Sequence, residues 1–292
     1  MKGYYLCFLF VSVVKYYGCP DFCSCCGEYY ALKNFDKIIN GAIETYKKGG
    51  FLNKYNDNKD LITLENFPVT INGLKINEIN EINEIKKEDV IKNCSLVQEN
   101  VACIVNAANY GFSGGGGIDG IIKNNFEYTC DEEKKNLKDG SPNFIGKSIY
   151  TPCKKNKESR ASNLIKGIIH TIAPDLRMPF FKREKHIKQF YSCFDNIFVL
   201  CVKKNIKSIA FPLVGCGVFG WKLEDFALGF FHGYIKNFKK CDVLKDVKIN
   251  ICVYKPGDRN SIMPNTSMTV YFLACCFIKI FEDLNKTIDP LF

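Results

Sequence analysis

The stretch CIVNAANYGFSGGGGIDG, from Cys103 to Gly120, carries the pattern on which the fold prediction rests. It opens with a short β-branched apolar run, which is typical of a buried strand. Four consecutive glycines, Gly114 to Gly117, then lead to a single acid, Asp119. Glycine permits positive φ and close approach of the backbone to a ligand, and amide N–H groups at the start of a helix favour an anion. The pattern predicts a strand, an anion-binding loop and a helix that begins beside Asp119.

A second glycine-rich stretch repeats this arrangement later in the chain. VGCGVFG, from Val214 to Gly220, follows the apolar run SIAFPL. Neither stretch is followed by the GK[ST] of a phosphate-binding P-loop. Two such loops side by side would hold a diphosphate from both faces through their backbone amides.

The order of the remaining segments predicts an α/β fold. Strands that alternate with helices indicate a largely parallel sheet, in which ligands gather at the carboxyl ends of the strands. The predicted strands are VACIVNA, GKSIYTP, KGIIHTIA, IKSIAFPLVG and VKINICVY, and the predicted helices are IDGIIKNNF, KREKHIKQFYSCFDNIFVLCVKKN, KLEDFALGFFHGYIKNF and SMTVYFLACCFIKIFEDLNK. The period-three repeat INEINEINEI, residues 76–85, suits neither a regular strand nor a regular helix.

Composition indicates a globular protein, since 47% of the 292 residues are hydrophobic. The formal charge of +9 comes without a dense basic patch interleaved with aromatics, so no specific nucleic-acid partner is predicted. Most of the 16 cysteines, Cys252 among them, stand singly in apolar segments and are interpreted as small hydrophobes. The cluster Cys19, Cys23, Cys25 and Cys26 is interpreted as unpaired thiols, with a zinc site or disulfides as open alternatives.

The N-terminal stretch MKGYYLCFLFVSVVKYYGCP has two interpretations. Its apolar run resembles the core of a signal peptide at residues 1–18, although the residues before Gly18 fit a cleavage site poorly. The other interpretation, which we favour, is a buried helix or strand in an intracellular protein of the cytoplasm or nucleus. No transmembrane segment is predicted, because a spanning helix needs ~20 apolar residues.

Four motifs together resemble the macrodomain family in their order and spacing. They are IVNAAN, GGGGIDG, IIHTIAP and SIAFPLVGCGVFG. The resemblance covers Ile85 to Asn285 and implies a three-layer α/β/α fold with a mixed, largely parallel central sheet that binds ADP-ribose. We therefore expect a macrodomain over residues 61–292, preceded by a Cys/Tyr-rich extension over residues 1–60. The glycines followed by a hydrophobic residue, Asp and Gly are similar to the MacroD-type hydrolases, as is Asn109 ten residues before Asp119.

The resemblance also implies a role for each part of the ligand site. Asp89 and Val90 would bind adenine, and Tyr254 would pack against it. Asn109 would hydrogen-bond the distal ribose, and Asp119 would position or activate water, or hold the ribose for a substrate-assisted attack. The other expected ligand-binding residues are Asn106, Ala108, Gly115, Gly116, Gly117, Ile118, Gly215, Cys216, Gly217, Val218 and Phe219, the last also packing against the distal ribose.

The implied activity is removal of mono-ADP-ribose from acidic side chains of proteins, together with deacetylation of O-acetyl-ADP-ribose. The expected partners are ADP-ribose and mono-ADP-ribosylated proteins, and a monomer is expected. The first loop lacks the Cys and His ligands of the metal-dependent macrodomains, so neither a metal nor a cofactor is predicted. The alternatives are a non-catalytic ADP-ribose reader and a phosphatase acting on ADP-ribose 1″-phosphate.

Some residues have a structural alternative, and others depart from the family pattern. Without the family resemblance, Asp119 would be interpreted as an ordinary acid at the start of a helix. His170 lies inside an apolar strand and is predicted to be a core histidine. Cys216 is not expected to be a nucleophile, because no histidine adjoins it in sequence. Gly215 and Cys216 stand where relatives begin the loop with Ser or Thr, and Lys123 replaces a histidine. These departures leave the ligand site intact and put the catalytic rate in question.

Overall fold

The structure is a computed structural model, and it describes residues 35–48, 62–81, 94–137, 144–238, 242–253 and 266–286. The helices are α1 Phe35–Lys48, α2 Ile76–Glu81, α3 Gly117–Asn125, α4 Asp131–Asn136, α5 Arg183–Lys203, α6 Leu223–Phe238 and α7 Thr266–Lys286. The strands are β1 Val69–Ile71, β2 Leu74–Lys75, β3 Cys103–Ala107, β4 Phe126–Glu127, β5 Ser148–Pro152, β6 Lys154–Lys155, β7 Gly167–Thr171, β8 Ser208–Phe211 and β9 Lys248–Ile251. Two 3₁₀ turns span Leu96–Gln98 and Asp242–Lys245.

One mixed sheet organises these elements in the order β2-β1-β9-β8-β3-β7-β5. Its five inner strands run parallel, while β2 and β5 are antiparallel edge strands. A separate two-stranded ribbon joins β4 and β6. The carboxyl ends of all five inner strands therefore lie at one edge of the sheet, where ligands gather in folds of this kind.

Helices cover both faces of the sheet. Along β3, Cys103 and Val105 pack into one apolar cluster and Ile104 into another, as the two-residue period of a strand requires. The first cluster holds the apolar sides of α1, α2, α5, α6 and α7, and the second holds the Leu96–Gln98 turn and α3. The expected three-layer α/β/α fold with a mixed, largely parallel sheet is confirmed.

Two features at the margins were not predicted. The chain before the 76–85 repeat forms the β1–β2 hairpin, and β1 extends the sheet by pairing in parallel with β9. The first part of the repeat forms helix α2, in which Ile76 and Ile79 are both buried. A spacing of three drifts off a helical face over several turns, but over six residues it keeps both isoleucines on one side.

Several sequence predictions lie outside the described residues. They include the possible signal peptide, the Cys19–Cys26 cluster, and the expected adenine contacts Asp89, Val90 and Tyr254. Within the described ranges, no helix is both long enough and apolar enough to cross a bilayer.

Candidate ligand-binding and catalytic site

The two glycine-rich stretches leave neighbouring strands at the same edge of the sheet. β3 and β8 pair in parallel, with Cys103 opposite Ile209 and Ile104 opposite Ala210. The first glycine loop, residues 108–116, follows β3, and the second glycine loop, residues 212–222, follows β8. Parallel pairing therefore brings together two segments that are about a hundred residues apart in sequence.

The first glycine loop and the start of α3 require glycine at three positions, Gly114, Gly117 and Gly120. Gly114 and Gly117 have φ angles of 80° and 61°, a region in which L side chains are strained. A Cβ on Gly120 would lie 2.4 Å from the carbonyl oxygen of Gly115, so α3 can begin this close to the loop only with glycine there. Within the described residues, the amides of Gly115 and Gly116 donate to no protein acceptor. These amides are available to an anion.

Two polar side chains hold the first glycine loop in shape. Asn109 Nδ2 donates to the carbonyl of Gly114 at 2.8 Å, and its Oδ1 accepts from the amides of Gly111 and Ser113. From α3, Lys123 Nζ donates to the carbonyl of Ser113 at 2.9 Å, and its aliphatic stem lies against Gly114. Lys123 thus supports the loop from the helix.

The second glycine loop is fixed from inside by aromatic rings. Gly215 has a φ of 77°, and a Cβ there would lie 2.8 Å from the Phe190 ring and 2.9 Å from that of Trp221. The Phe190 and Trp221 rings stack at 4.0 Å, which leaves no room for a side chain at Gly215. Cys216 is buried beside them, and this desolvation raises the pKa of its thiol well above the usual value. A neutral, buried thiol agrees with the prediction that Cys216 is not a nucleophile.

The outer part of the second glycine loop faces solvent. Val218 is 61% exposed, and in the described part of the chain the amides of Gly217, Val218 and Phe219 donate to no protein acceptor. Both glycine loops therefore present unused amide donors at the same edge of the sheet, as a diphosphate would require.

An aromatic wall joins the two loops. The Tyr110 ring stacks on Phe219 at 6.0 Å and on Phe181 at 6.4 Å, and the Arg177 guanidinium lies 5.8 Å from the Phe219 centroid. The Tyr110 hydroxyl accepts from the amide of Asp175 at 2.9 Å. Sequence reasoning missed Tyr110 and Arg177. Tyr110 had a signal, since it adjoins Asn109 in the first glycine loop, whereas nothing in the sequence singled out Arg177.

Asp119 lies in the first turn of α3, behind the first glycine loop, and is 3% exposed. Its Oδ1 accepts a hydrogen bond of 2.7 Å from Asn106 Nδ2. Its Oδ2 accepts a longer one, 3.3 Å, from the amide of Asn109. A Cβ on Gly115 would lie 3.5 Å from Oδ2, so the exposed Gly115 separates this oxygen from solvent. Oδ2 is therefore the carboxylate oxygen that can accept a further hydrogen bond from the side on which a ligand would bind.

A buried hydrogen-bond chain orients Asp119. Asn106 and His170 are register partners on β3 and β7, and Asn106 Nδ2 lies 2.9 Å from His170 Nδ1. The amide NH₂ must face Asp119, because an amide oxygen there would repel the carboxylate. His170 Nδ1 is then an acceptor, and Nε2–H donates to Thr151 Oγ1 at 2.9 Å. His170 is the core histidine that the sequence predicted, and it holds Asn106 in place for Asp119.

This chain predicts a pH dependence of stability. Burial, with a smaller contribution from Lys134, lowers the pKa of His170 from 6.5 to about 3. The unfolded chain takes up a proton at His170 near pH 6.5 and the folded chain does not, so this stability is present above that pH and is lost as pH falls. Between about pH 6.5 and about pH 5 the loss is about 2 kcal/mol.

Urea unfolding of the full chain at several pH values measures this loss. Gln at position 170 retains hydrogen-bonding groups but does not titrate, so His170→Gln should flatten the pH dependence by that amount. Equal slopes for wild type and His170→Gln would contradict the assignment of a neutral, buried histidine.

The space beside Gly115 gives a second prediction. Gly115→Ala would place a methyl carbon 3.3 Å from Asn109 Nδ2 and 3.5 Å from Asp119 Oδ2. Because this crowds the ligand side of Asp119, turnover of a substrate that uses the acid should fall by about 10- to 100-fold. Steady-state kinetics measure it, with Gly41→Ala as a control in α1, where an added Cβ meets nothing within 4 Å. Unchanged turnover in Gly115→Ala would mean that the ligand does not approach Asp119 from this side.

The remaining predicted ligand residues differ in their exposure. Asn106 is 0% exposed and donates to Asp119, so in this arrangement it orients the acid and does not itself face the ligand. Ala108 is also buried, and its amide donates to the carbonyl of Thr171 at 2.9 Å. Ile118 is half-buried and packs against the apolar cluster beside α3. The surfaces that remain open to a ligand are therefore mainly backbone.

Comparison with curated proteins gives partial matches at low identity. ADP-ribose glycohydrolase MACROD2 of Xenopus laevis is 26% identical over 172 residues, which is 56% of this chain and 36% of that protein. O-acetyl-ADP-ribose deacetylase of Salmonella typhimurium is 29% identical over 127 residues, 43% of this chain and 65% of that protein. The uncharacterized protein TV0719 of Thermoplasma volcanium is 32% identical over 131 residues, 43% of this chain and 63% of that protein. The chain thus spans between 36% and 65% of the length of these relatives.

Solved structures give matches of the same kind. The Oceanobacillus iheyensis macrodomain with ADP has a TM-score of 0.46 at 22% identity, over 67% of this chain and 90% of that one. The Trypanosoma brucei macrodomain in complex with ADP has a TM-score of 0.42 at 18% identity, over 63% of this chain and 66% of that one. The family model described as Macro domain matches residues 105–228, which contain both glycine loops and Asp119. Over residues 105–228 the chain therefore matches the macrodomain family.

Proposed function

We propose that this macrodomain binds ADP-ribose between its two glycine loops and hydrolyses mono-ADP-ribose from acidic side chains of proteins. O-acetyl-ADP-ribose would be a second substrate, because its acetyl ester, like the ester to a protein carboxylate, is attached to the distal ribose. Relatives named as an ADP-ribose glycohydrolase and an O-acetyl-ADP-ribose deacetylase support this class of activity. The observation that carries the proposal is the placement of Asp119 directly behind the amides that would hold the ligand.

The diphosphate would be held by the free amides of both glycine loops. Those of Gly115 and Gly116 come from one side, and those of Gly217 to Phe219 from the other. The Tyr110–Phe219 stack would support the distal ribose and orient its anomeric carbon. Asp89, Val90 and Tyr254 would bind the adenine end, as the family resemblance implies. β1 lies in the same sheet, which supports a macrodomain that starts near residue 61.

The reaction would be displacement at the anomeric carbon of the distal ribose. A water oxygen forms a bond to that carbon, and the glycosidic C–O bond breaks with its electron pair leaving on the target carboxylate. Asp119 Oδ2 accepts the water proton and stabilises the positive charge that develops on the ribose. Asn106 and the Asn109 amide orient the carboxylate by donating hydrogen bonds to its two oxygens.

The experiment is release of ADP-ribose by the full chain, measured by mass spectrometry. The substrates are a protein carrying mono-ADP-ribose on Glu or Asp, the same modification on Arg, O-acetyl-ADP-ribose and ADP-ribose 1″-phosphate. We expect release from both esters and none from the arginine-linked substrate, whose leaving group is a poorer one. Phosphate release from ADP-ribose 1″-phosphate, without release from the esters, would replace the proposal with a phosphatase.

A second candidate function is a reader that binds ADP-ribose without turnover. The observation that favours it is the low exposure of Asp119, both of whose oxygens already accept hydrogen bonds from the protein. A reader would bind ADP-ribose in a calorimeter and release nothing from any of the four substrates.

A further inference from the structure

A cluster of two cysteines and one glutamate lies outside the two glycine loops. Cys94 precedes the Leu96–Gln98 turn, Glu99 follows it, and Cys252 comes directly after β9. Cys94 Sγ lies 2.9 Å from Cys252 Sγ and 2.9 Å from Glu99 Oε1. The three donor atoms all lie within 4.8 Å of one another. The fold thus gathers potential ligands that are 158 residues apart in sequence.

A supporting hydrogen bond orients this cluster. Asn250 Nδ2 donates to the second oxygen of Glu99, Oε2, at 2.9 Å. Asn250 Oδ1 in turn accepts from the amide of Gly73 and from the Thr70 hydroxyl, so the amide group cannot rotate freely. Metal-ligating carboxylates are typically held in this way by an outer partner, which leaves one oxygen for the ion.

The charges of the cluster favour a cation over a disulfide. A disulfide between Cys94 and Cys252 would leave the Glu99 carboxylate beside it without a positively charged partner. A divalent ion would instead be attracted by Glu99 and would replace the proton of each thiol. Within the described residues, the recorded partners of Glu99 are a thiol, an amide and a backbone contact, with no cationic side chain among them. Among the described residues, this half-buried carboxylate beside two buried thiols has no counter-charge, and a metal ion would supply one.

We propose that Cys94, Glu99 and Cys252 bind one thiophilic divalent metal ion of the zinc type. Two thiolate sulfurs and Glu99 Oε1 provide three ligands, two thiol protons pass to solvent, and water takes the fourth position on the half-exposed Glu99 side. Tetrahedral binding with Zn–S bonds of about 2.3 Å requires the sulfurs to separate from 2.9 Å to about 3.8 Å. Thiolate ligands select such an ion over Mg²⁺ or Ca²⁺.

The ion would connect the Leu96–Gln98 turn to the end of β9. Leu96, Val97, Cys94 and Cys252 all belong to the apolar cluster that covers the α3 face of the sheet. Metal binding would therefore stabilise the layer that carries Asp119 without contributing an atom to the proposed ligand site.

The test compares wild type with the double variant Cys94→Ser/Cys252→Ser and with Glu99→Gln, which is nearly isosteric. The control is Cys153→Ser, another thiol that packs against the same apolar cluster but lies outside the three-residue group. Each full-length chain is purified under reducing conditions, loaded with Zn²⁺, desalted, and analysed for zinc by mass spectrometry. Because other cysteines of the chain could also bind zinc, the measured quantity is the difference between variants.

We expect wild type and Cys153→Ser to hold one zinc per chain more than the double variant, and Glu99→Gln to bind this zinc at least tenfold more weakly. Cobalt in its place should show thiolate-to-metal charge-transfer absorption that the double variant lacks. Chelator should lower the melting temperature of wild type by about 5 °C or more and leave that of the double variant unchanged. Equal zinc content in wild type and the double variant would overturn the proposal. So would a Cys94–Cys252 disulfide in the non-reduced peptide map of the native protein.

Discussion

Asp119→Ala is expected to lower the release of ADP-ribose from a protein modified on acidic residues by ~10²- to 10⁴-fold. The affinity for free ADP-ribose should change by less than about tenfold, because the diphosphate would be held by loop amides rather than by the acid. The variant removes a buried carboxylate but leaves Asn106 bonded to His170. Folding should therefore survive. Calorimetry for binding and single-turnover kinetics for release measure the two effects separately.

Asp119→Asn tests the charge at nearly constant shape. Its amide oxygen could accept from Asn106, but its NH₂ would then face the Asn109 amide, which is also a donor, so positioning should suffer along with chemistry. The matched control is Asp131→Asn, which removes an exposed acid from the first turn of α4. Turnover that is equal in wild type and both Asp119 variants would assign the chemistry to another group.

The sequence predicted those parts of the site that depend on neighbouring residues. A glycine run between an apolar segment and an acid predicts a strand, a loop and a helix start, and the chain from β3 to α3 adopts that arrangement. His170 could be interpreted as a core residue, because its apolar neighbours on both sides left it no route to solvent. The resemblance to macrodomains supplied the order of the elements, from which the adjacency of the two glycine loops follows.

Contacts that depend on strand order and register could not be predicted in this way. The bond between Asn106 and His170 exists because β3 and β7 pair in a register that places these residues opposite one another. The Cys94–Cys252 contact likewise depends on where the Leu96–Gln98 turn packs against β9. Cys252 alone in an apolar segment gave no sign of Glu99, so its interpretation as a small hydrophobe was incomplete.

Phe230→Ala is expected to lower the free energy of unfolding by about 3–5 kcal/mol. Phe230 is fully buried on α6, between the sheet and the surrounding helices. Its ring contacts six other aromatic rings at centroid distances between 5.1 and 6.4 Å. These belong to Phe67, Phe194, Phe198, Phe211, Phe226 and Phe277. Truncation leaves a cavity that the neighbouring rings, five of which pack edge to face on Phe230, cannot collapse to fill.

Urea unfolding measures this loss, with Phe180→Ala as the control. Phe180 is 63% exposed, so its truncation should change stability by no more than about 0.5 kcal/mol. Phe230 packs on the face of the sheet opposite α3, and its ring contacts among the described residues involve neither Asp119 nor the glycine loops. At temperatures where the variant remains folded, ADP-ribose affinity should therefore equal that of wild type. A large loss of affinity in folded Phe230→Ala would mean that the two layers are coupled through the sheet, and that the helices behind it help to set the geometry of the loops.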